Sequence, residues 1–403
     1  MPWKETNTVD QRTEFVKRAL REEMPFAALC REYGISTKTG YKWKQRYHDN
    51  GRSGMQDFSR RPRSSPTVVT ADAACDVVRL KRAHPGWGPT KVHDVYLKSD
   101  SCRQALSLSS VKRILDRAGM VEPRRCRRSS DHCGRIASPV VAKAANHVLT
   151  VDFKGHWYTS CGKRVLPLTV CDSYSRFVLM AQIVPDAGTQ TVMECFSRLF
   201  AQHGMPDIIR SDNGSPFAST SAPLGLSRLS AWWVAHGISL DRIEKGKPYQ
   251  NGRHERMHLE IANDVEGRVP GGIPMQQAAL DAWRQEYNHV RPHAGIGMQK
   301  PAALYNPSDR KFDPTPPQLD YPLGFERRRC LKDGSIKIHG KRIGISLAVS
   351  SWDLGLQPEG SNRYKVWFGN LCLGHLDLST QKFKATEGRV YVLQEVQNAI
   401  SSN

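Results

Sequence analysis

The chain has 403 residues, 39% of them hydrophobic and 24% charged. At about 150 residues per domain this is a modular, globular composition, and it excludes collagen-like and wholly disordered chains. With 59 Lys and Arg against 39 Asp and Glu the formal charge is +20, which points to a polyanionic partner.

No apolar run reaches the length of about 18 residues needed to span a bilayer, and Met1 to Lys17 lacks the apolar segment of a secretory signal. A cytoplasmic protein with no membrane partner is therefore expected. Ten Cys without a Cys-x-x-Cys spacing read as thiols in a reducing compartment, not as a disulfide framework. The charge is uneven: residues 1–145 carry 29 basic and 15 acidic side chains, residues 146–310 carry 17 and 15, and residues 311–403 carry 13 and 9. The phosphate-seeking part is the N-terminal third.

Three helices are expected in residues 1–55: Asp10 to Arg21 with Phe15, Val16, Ala19 and Leu20 on one face, a second from Pro25 to Gly34, and Thr37 to His48 capped by Ser36. The third turns Trp43 and Tyr47 inward and Lys38, Thr39, Lys42, Gln45 and Arg46 outward. Helix, Gly turn, basic helix is the helix-turn-helix plan, whose later helix enters the major groove; a plain three-helix packing unit is the alternative.

Residues 56–69 read as a basic linker in which Arg61 and Arg63 could lie in an A·T-rich minor groove. Residues 70–122 repeat the three-helix plan, with Thr70 capping Ala71 to Arg82, Pro89 opening the next helix, and Ser107 or Ser109 capping a last one that turns Lys112 and Arg113 outward. A second basic linker, residues 123–144, follows.

From Val148 the period changes. Val148 to Phe153, Val165 to Cys171 and Phe177 to Val184 are expected strands in a meander, followed by a helix from Thr189 to Gln202 and a short strand at Ile208-Ile209. A helix around Trp232 and Trp233, a strand from Ile238 to Ile243, and helices at Asn251 to Val265 and Met275 to Val290 complete a mixed sheet flanked by helices, residues 145–310.

Three carboxylates fall where this fold can gather them: Asp152 in the first strand, Asp212 after the short strand, and Glu255 early in a helix. Asn213 and Gly214 shape the turn at Asp212, and Asn251 and Gly252 the turn before Glu255. Clustered hard oxygens suit Mg²⁺ or Mn²⁺, and a two-ion centre can drive in-line displacement at phosphorus. No nucleophile with an adjacent activating base accompanies them. His254 and His258 read as DNA-facing or packing residues, and Cys126, His132 and Cys133 lack the paired spacing of a zinc site.

The segments Thr150-Val151-Asp152-Phe153-Lys154-Gly155, Ser211-Asp212-Asn213-Gly214-Ser215-Pro216-Phe217 and Lys247 to Arg256, with Tyr287-Asn288, Arg291-Pro292-His293, Lys300-Pro301-Ala302 and Tyr305, resemble insertion-sequence transposases with the DDE catalytic core of retroviral integrases, within the ribonuclease H-like superfamily. His84-Pro85-Gly86-Trp87-Gly88-Pro89 and the tandem helix-turn-helix units resemble the single-frame bacterial members. The resemblance covers roughly residues 10–310 and implies that Asp152, Asp212 and Glu255 are the catalytic and metal-binding triad, with Mg²⁺ or Mn²⁺ as cofactor, two ions in all. It implies 3′-end cleavage and strand transfer on double-stranded DNA, element ends and target, by at least a homodimer in the bacterial nucleoid. Relatives commonly carry Lys where this chain has Ala262 and Asn263; Arg253, Arg256 and Arg268 could replace that phosphate contact. A catalytically silent DNA-binding regulator would not need the triad, and a ribonuclease H-like nuclease would not need two helix-turn-helix modules.

Beyond Pro307, residues 311–325 read as a Pro-rich linker and residues 326–403 as a small β-barrel, from the alternation in Ser335 to Ile345 and Tyr364 to Leu376. Arg327, Arg328, Arg329, Lys337, Lys341 and Arg342 would give it a basic side, with Trp352, Trp367 and Phe368 in its core.

Overall fold

The computed structural model describes residues 7–59, 68–100, 102–121, 140–244 and 248–386. It divides into two compact units, Met1–Val68 and Val69–Asn403.

In the first unit, α1 (Thr8–Leu20), α2 (Phe26–Glu32) and α3 (Thr37–Asn50) enclose Phe15, Val16, Leu29, Cys30, Trp43 and Met55. The turn between α2 and α3 reverses at Gly34, whose φ of +64° favours glycine. There the Ile35 N–H returns to the Cys30 carbonyl at 2.9 Å and the Gly34 N–H to Arg31 at 3.1 Å. The Ser36 hydroxyl then accepts the Thr39 N–H, starting α3.

The second unit begins with α4 (Ala71–Ala83), α5 (Pro89–Lys98) and α6 (Leu108–Arg117), packed around Ala73, Val77, Trp87, Val92, Tyr96, Val111 and Leu115. Thr70 and Ser107 cap α4 and α6 as their side chains predict.

The central sheet has the order β5-β4-β1-β6-β7, from β1 (Val148–Phe153), β4 (Pro167–Asp172), β5 (Val178–Ile183), β6 (Ile208–Ser211) and β7 (Ser239–Arg242). The β1-β4-β5 meander is antiparallel, whereas β6 and β7 run parallel to β1. A small hairpin, β2 (Trp157–Tyr158) with β3 (Arg164–Val165), precedes β4, so the expected single strand from Val165 to Cys171 is broken at Leu166.

Alternation along β1 decides what each face meets. Leu149 and Val151 join the core formed by α7 (Thr189–His203) and α8 (Arg228–Ala235), while Thr150 meets α9 (Gly252–Asp264) on the other face. Met257, Ile261 and Val265 then pack with Leu280, Trp283 and Tyr287 of α10 (Ile273–His289) against Cys171, Val178, Ala181 and Ile183.

The C-terminal strands are β8 (Glu326–Arg329), β9 (Ser335–Ile338), β10 (Lys341–Gly344), β11 (Asp353–Pro358), β12 (Arg363–Phe368), β13 (Leu371–Asp377) and β14 (Lys382–Ala385). They form a five-stranded antiparallel sheet, β14-β13-β12-β11-β8, and a separate β9-β10 hairpin. Among the described residues the ladder pairing does not carry from the hairpin into the sheet, so these strands do not by themselves close the small barrel expected from the alternation. The apolar interior of this region, including Leu354, Val366 and Phe368, is continuous with the α7-α8 side of the central core. Phe368 is fully buried, but Trp352 and Trp367 are only partly so. Arg327 and Arg329 pair with Asp353, Arg328 with Glu326 and Arg342 with Asp333, which neutralises much of the expected basic side.

Candidate active site and nucleic-acid surfaces

Asp152 is the penultimate residue of β1, and Asp212 follows β6 directly. The parallel register pairs Thr150 with Arg210, so two residues further on Asp152 and Asp212 occupy equivalent places at the C-terminal ends of neighbouring strands, which lie about 4.8 Å apart in a sheet. Both are half-buried, and Glu255, in the first turn of α9, is exposed.

The turns hold these side chains in place. Asp212 Oδ1 accepts the Gly214 N–H at 3.1 Å, and Asn213 Nδ2 donates to the Ile243 carbonyl beyond β7 at 2.6 Å. On the opposite wall the Gln250 side chain clasps Glu244 twice, at 2.7 and 3.0 Å. The buried Asn251 follows, with Nδ2 3.5 Å from Asp152 Oδ2, and Gly252 begins α9.

Electrostatics link the three acids. Burial first, then the negative charge of Asp212 and Glu255, pushes the Asp152 carboxyl up to about 7. A carboxylate in this position favours either a proton or a cation. The donor chemistry fits a hard divalent ion. The spacing is open, since among the described residues no three His, Cys, Asp or Glu side chains form a ready-made metal cage.

The histidines beside Glu255 face the sheet, not DNA. Thr169, paired with Asp152 across β1 and β4, donates its hydroxyl proton to the Asp152 carbonyl at 3.0 Å. Its oxygen lies 2.7 Å from both His254 Nε2 and His258 Nε2. His254 Nδ1 lies 2.8 Å from the Thr150 hydroxyl, which itself donates to the Cys171 carbonyl at 3.1 Å. Burial keeps His254 neutral, with the neighbouring His258 adding to the effect. This network seats α9 on β1 and β4. The i, i+4 spacing of the two histidines was visible in the sequence, but their threonine partners lie far away in it.

Of the residues expected at DNA, Lys38 and Lys42 are exposed on α3, and Lys112 and Arg113 on α6. Two others turn back onto the protein. Thr39 is half-buried beside Ser36, its hydroxyl 2.9 Å from the Ser36 hydroxyl, and the Arg46 guanidinium lies over Trp43 and Phe58 at 5.0 and 4.4 Å. Helix capping and cation–π packing claim these side chains. Arg61 and Arg63 lie outside the described residues, as do Cys126, His132 and Cys133. Arg253 and Arg256 are exposed near Glu255, the latter 3.6 Å from Glu260. Arg176 and Arg210 stand close enough to Arg253 to oppose its charge, a cationic neighbourhood the sequence reading did not find.

Comparison with known proteins follows the same division. Residues 142–248 and 236–301 match two families described as Integrase core domain, residues 11–63 a Helix-turn-helix domain and residues 39–115 a Homeodomain-like domain. A 31.7 kDa uncharacterized protein of insertion element IS407 from Burkholderia multivorans is 29% identical over 197 residues, 48% of this chain and 66% of that protein. A 39.2 kDa uncharacterized protein of insertion element IS476 from Xanthomonas euvesicatoria is 23% identical over 251 residues, 62% and 69% of the two chains. Thus the match spans about two thirds of each relative's length. Among solved structures, the HTLV-2 integrase catalytic core domain in complex with magnesium aligns with 41% of this chain and 100% of its own at 14% identity and TM-score 0.32. The BIV integrase catalytic core aligns with 40% and 93% at 21% identity and TM-score 0.30. Residues 142–301 are thus similar to integrase core domains, the N-terminal region to helix-turn-helix domains, and the chain to insertion-element proteins.

Proposed function

We propose that the chain is a DNA transposase that binds the ends of an insertion element and carries out 3′-end cleavage and strand transfer at Asp152, Asp212 and Glu255. The observation that carries this reading is the placement of Asp152 and Asp212 at adjacent parallel strand ends, with Asp152 pushed up to about 7 in part by Asp212 and Glu255. Such mutual repulsion is the state of carboxylates that await a cation. Asp152 and Asp212 would hold Mg²⁺ or Mn²⁺ from the sheet, and Glu255 from the wall of α9. When bound, two ions would activate the attacking hydroxyl and offset charge on the leaving oxygen.

The chain's own residues prepare that chemistry. Asn251 orients Asp152, the Asn213-Gly214 turn holds Asp212, and the His254 network keeps the Glu255 helix against the strands. Arg253 and Arg256 would meet phosphates beside the reacting strand, while Lys38, Lys42, Lys112 and Arg113 would meet the element ends, with Arg61 and Arg63 in the minor groove. Water would first free a 3′ hydroxyl at each end, and that hydroxyl would then attack target DNA. Two ends call for at least a dimer working in the bacterial cytoplasm. Among the described residues no helix is long and apolar enough to cross a membrane.

A catalytically silent DNA-binding regulator is the second reading, favoured by the open spacing of the three acids. A strand-transfer assay with Mg²⁺ on end-bearing DNA separates the two. The wild-type chain should join DNA, and Asp152→Asn should stop joining while leaving end binding near normal. Normal joining by that variant would refute the catalytic assignment.

A further inference from the structure

The turn His84-Pro85-Gly86-Trp87-Gly88 between α4 and α5 takes no part in the carboxylate site, yet it is built with care. Trp87 is 1% exposed and belongs to the apolar core of α4, α5 and α6, while its indole N–H leaves that core and donates to Glu286 Oε1 on α10 at 3.1 Å. The His84 ring lies flat on the indole, centroids 3.7 Å apart, with Nδ1 3.3 Å from the same carboxylate. Lys81 closes the turn from behind, donating to the carbonyls of Pro85 and Trp87 at 2.6 and 2.8 Å.

Gly86 meets the neighbouring helices so closely that a Cβ there would stand 2.8 Å from Asp264 Oδ1 and 3.1 Å from Arg291 Nη2. Arg291, its side chain 3% exposed, binds Glu260 at 2.7 Å and Asp264 at 3.3 Å, both on α9. Lys91 of α5 adds a contact to Glu260 at 3.9 Å. Glu260 and Asp264 lie on the same helix as Glu255. A turn that only joined two helices would need neither an indole N–H aimed into the next domain nor a glycine pressed against an ion pair.

We propose that this turn is a docking latch, which seats the second three-helix unit on α9 and α10 and, through Glu286 and the Arg291 ion pairs, fixes the far end of the helix that carries Glu255. Trp87 and Glu286 are then positioning residues: they touch neither DNA nor metal, and they act by holding α9. The catalytic consequence rests on the transposase reading, whereas the latch itself does not.

The test uses the full-length chain and two variants of one hydrogen bond. Trp87→Phe keeps the apolar ring and loses the N–H, and Glu286→Ala removes the acceptor from the other side without touching the α4–α6 core. Amide hydrogen exchange, without DNA or metal, should accelerate roughly tenfold in α9 and α10 in both variants, as the loss of one charge-assisted hydrogen bond allows, while α7 and α8 stay protected. The double variant should be no looser than the weaker single one, and Glu286→Gln, which keeps an acceptor, should restore protection. With saturating end DNA, joining should fall about tenfold with end affinity unchanged, a loss in turnover and not in binding. Unchanged exchange in α9 in both variants overturns the latch. Loosened α9 in a protein whose wild type joins no DNA supports the latch and removes the transposase reading instead.

Discussion

Glu255 and Glu260 stand on one helix, little more than a turn apart, and have opposite surroundings. At the first end, Glu255, Asp212 and Asp152 share a field, and among the described residues none of the three takes part in an ion pair. At the other end, Glu260 and Asp264 are met by Arg291, Lys91 and the indole of Trp283, and nearby Glu286 by Trp87 and His84. The residue types are the same. The difference teaches that a carboxylate paired inside the fold holds structure, whereas one left facing other carboxylates stores repulsion that an external cation can relieve.

Exchanging acids for amides at the two ends should expose this contrast most strongly. On the proposed transposase reading, Asp212→Asn and Glu255→Gln should each reduce strand transfer by about a thousandfold, with end binding intact, because each would remove a metal ligand worth several kcal/mol at the transition state. Glu260→Gln should leave measurable joining and mainly weaken the fold. Strand-transfer rates for the three variants, beside their melting curves, decide it; equal losses of joining would erase the distinction.

Removing the cation from the paired end comes next. Arg291→Met leaves Glu260 and Asp264 without their main partner and should cost about 3 kcal/mol of stability. The urea midpoint would fall with an unchanged slope.

The unpaired end should show the opposite sign. With its folded-state value raised to about 7, Asp152 favours the fold when protonated, so its contribution is greatest below the ordinary carboxylate range and is lost as pH rises toward about 7. Asp152→Asn should therefore melt higher than wild type at pH 8, by about 5 °C, and the gap should shrink toward pH 4. Mg²⁺ should raise the wild-type melting temperature at pH 8 and have little effect on the variant. A gap that does not vary with pH would place the repulsion elsewhere.

The smallest effects belong to the exposed basic helices. Lys42→Ala and Lys112→Ala should each reduce the salt dependence of end binding by about one unit of slope, one phosphate contact apiece. Neither should change stability by more than about 0.5 kcal/mol.

Much of the fold was legible where local signals and burial agree. Val148–Phe153 was readable as a short run rich in Val and Leu, and Thr70 and Ser107 because their hydroxyls can accept a backbone N–H at a helix start. The strand Glu326–Arg329 escaped notice: four charged residues carry no apolar period, and their pairing comes from Asp353–Pro358 across a long connection. The contacts of Thr39 with Ser36 and of Arg46 with Trp43 and Phe58 were not legible either, since they depend on how the side chains fold back onto the protein. For His254 and His258, helical spacing was visible but the sheet face they would meet was not.

The types and order of the three acids, the basic N-terminal third and the turns beside Asp212 and Glu255 were determined by the sequence alone, because turn chemistry and charge are properties of short segments. Which carboxylates would be neutralised by arginine and which left facing one another was decided only by the tertiary structure. Coulomb energy depends on distance through space and on desolvation, and neither is written in the spacing along the chain.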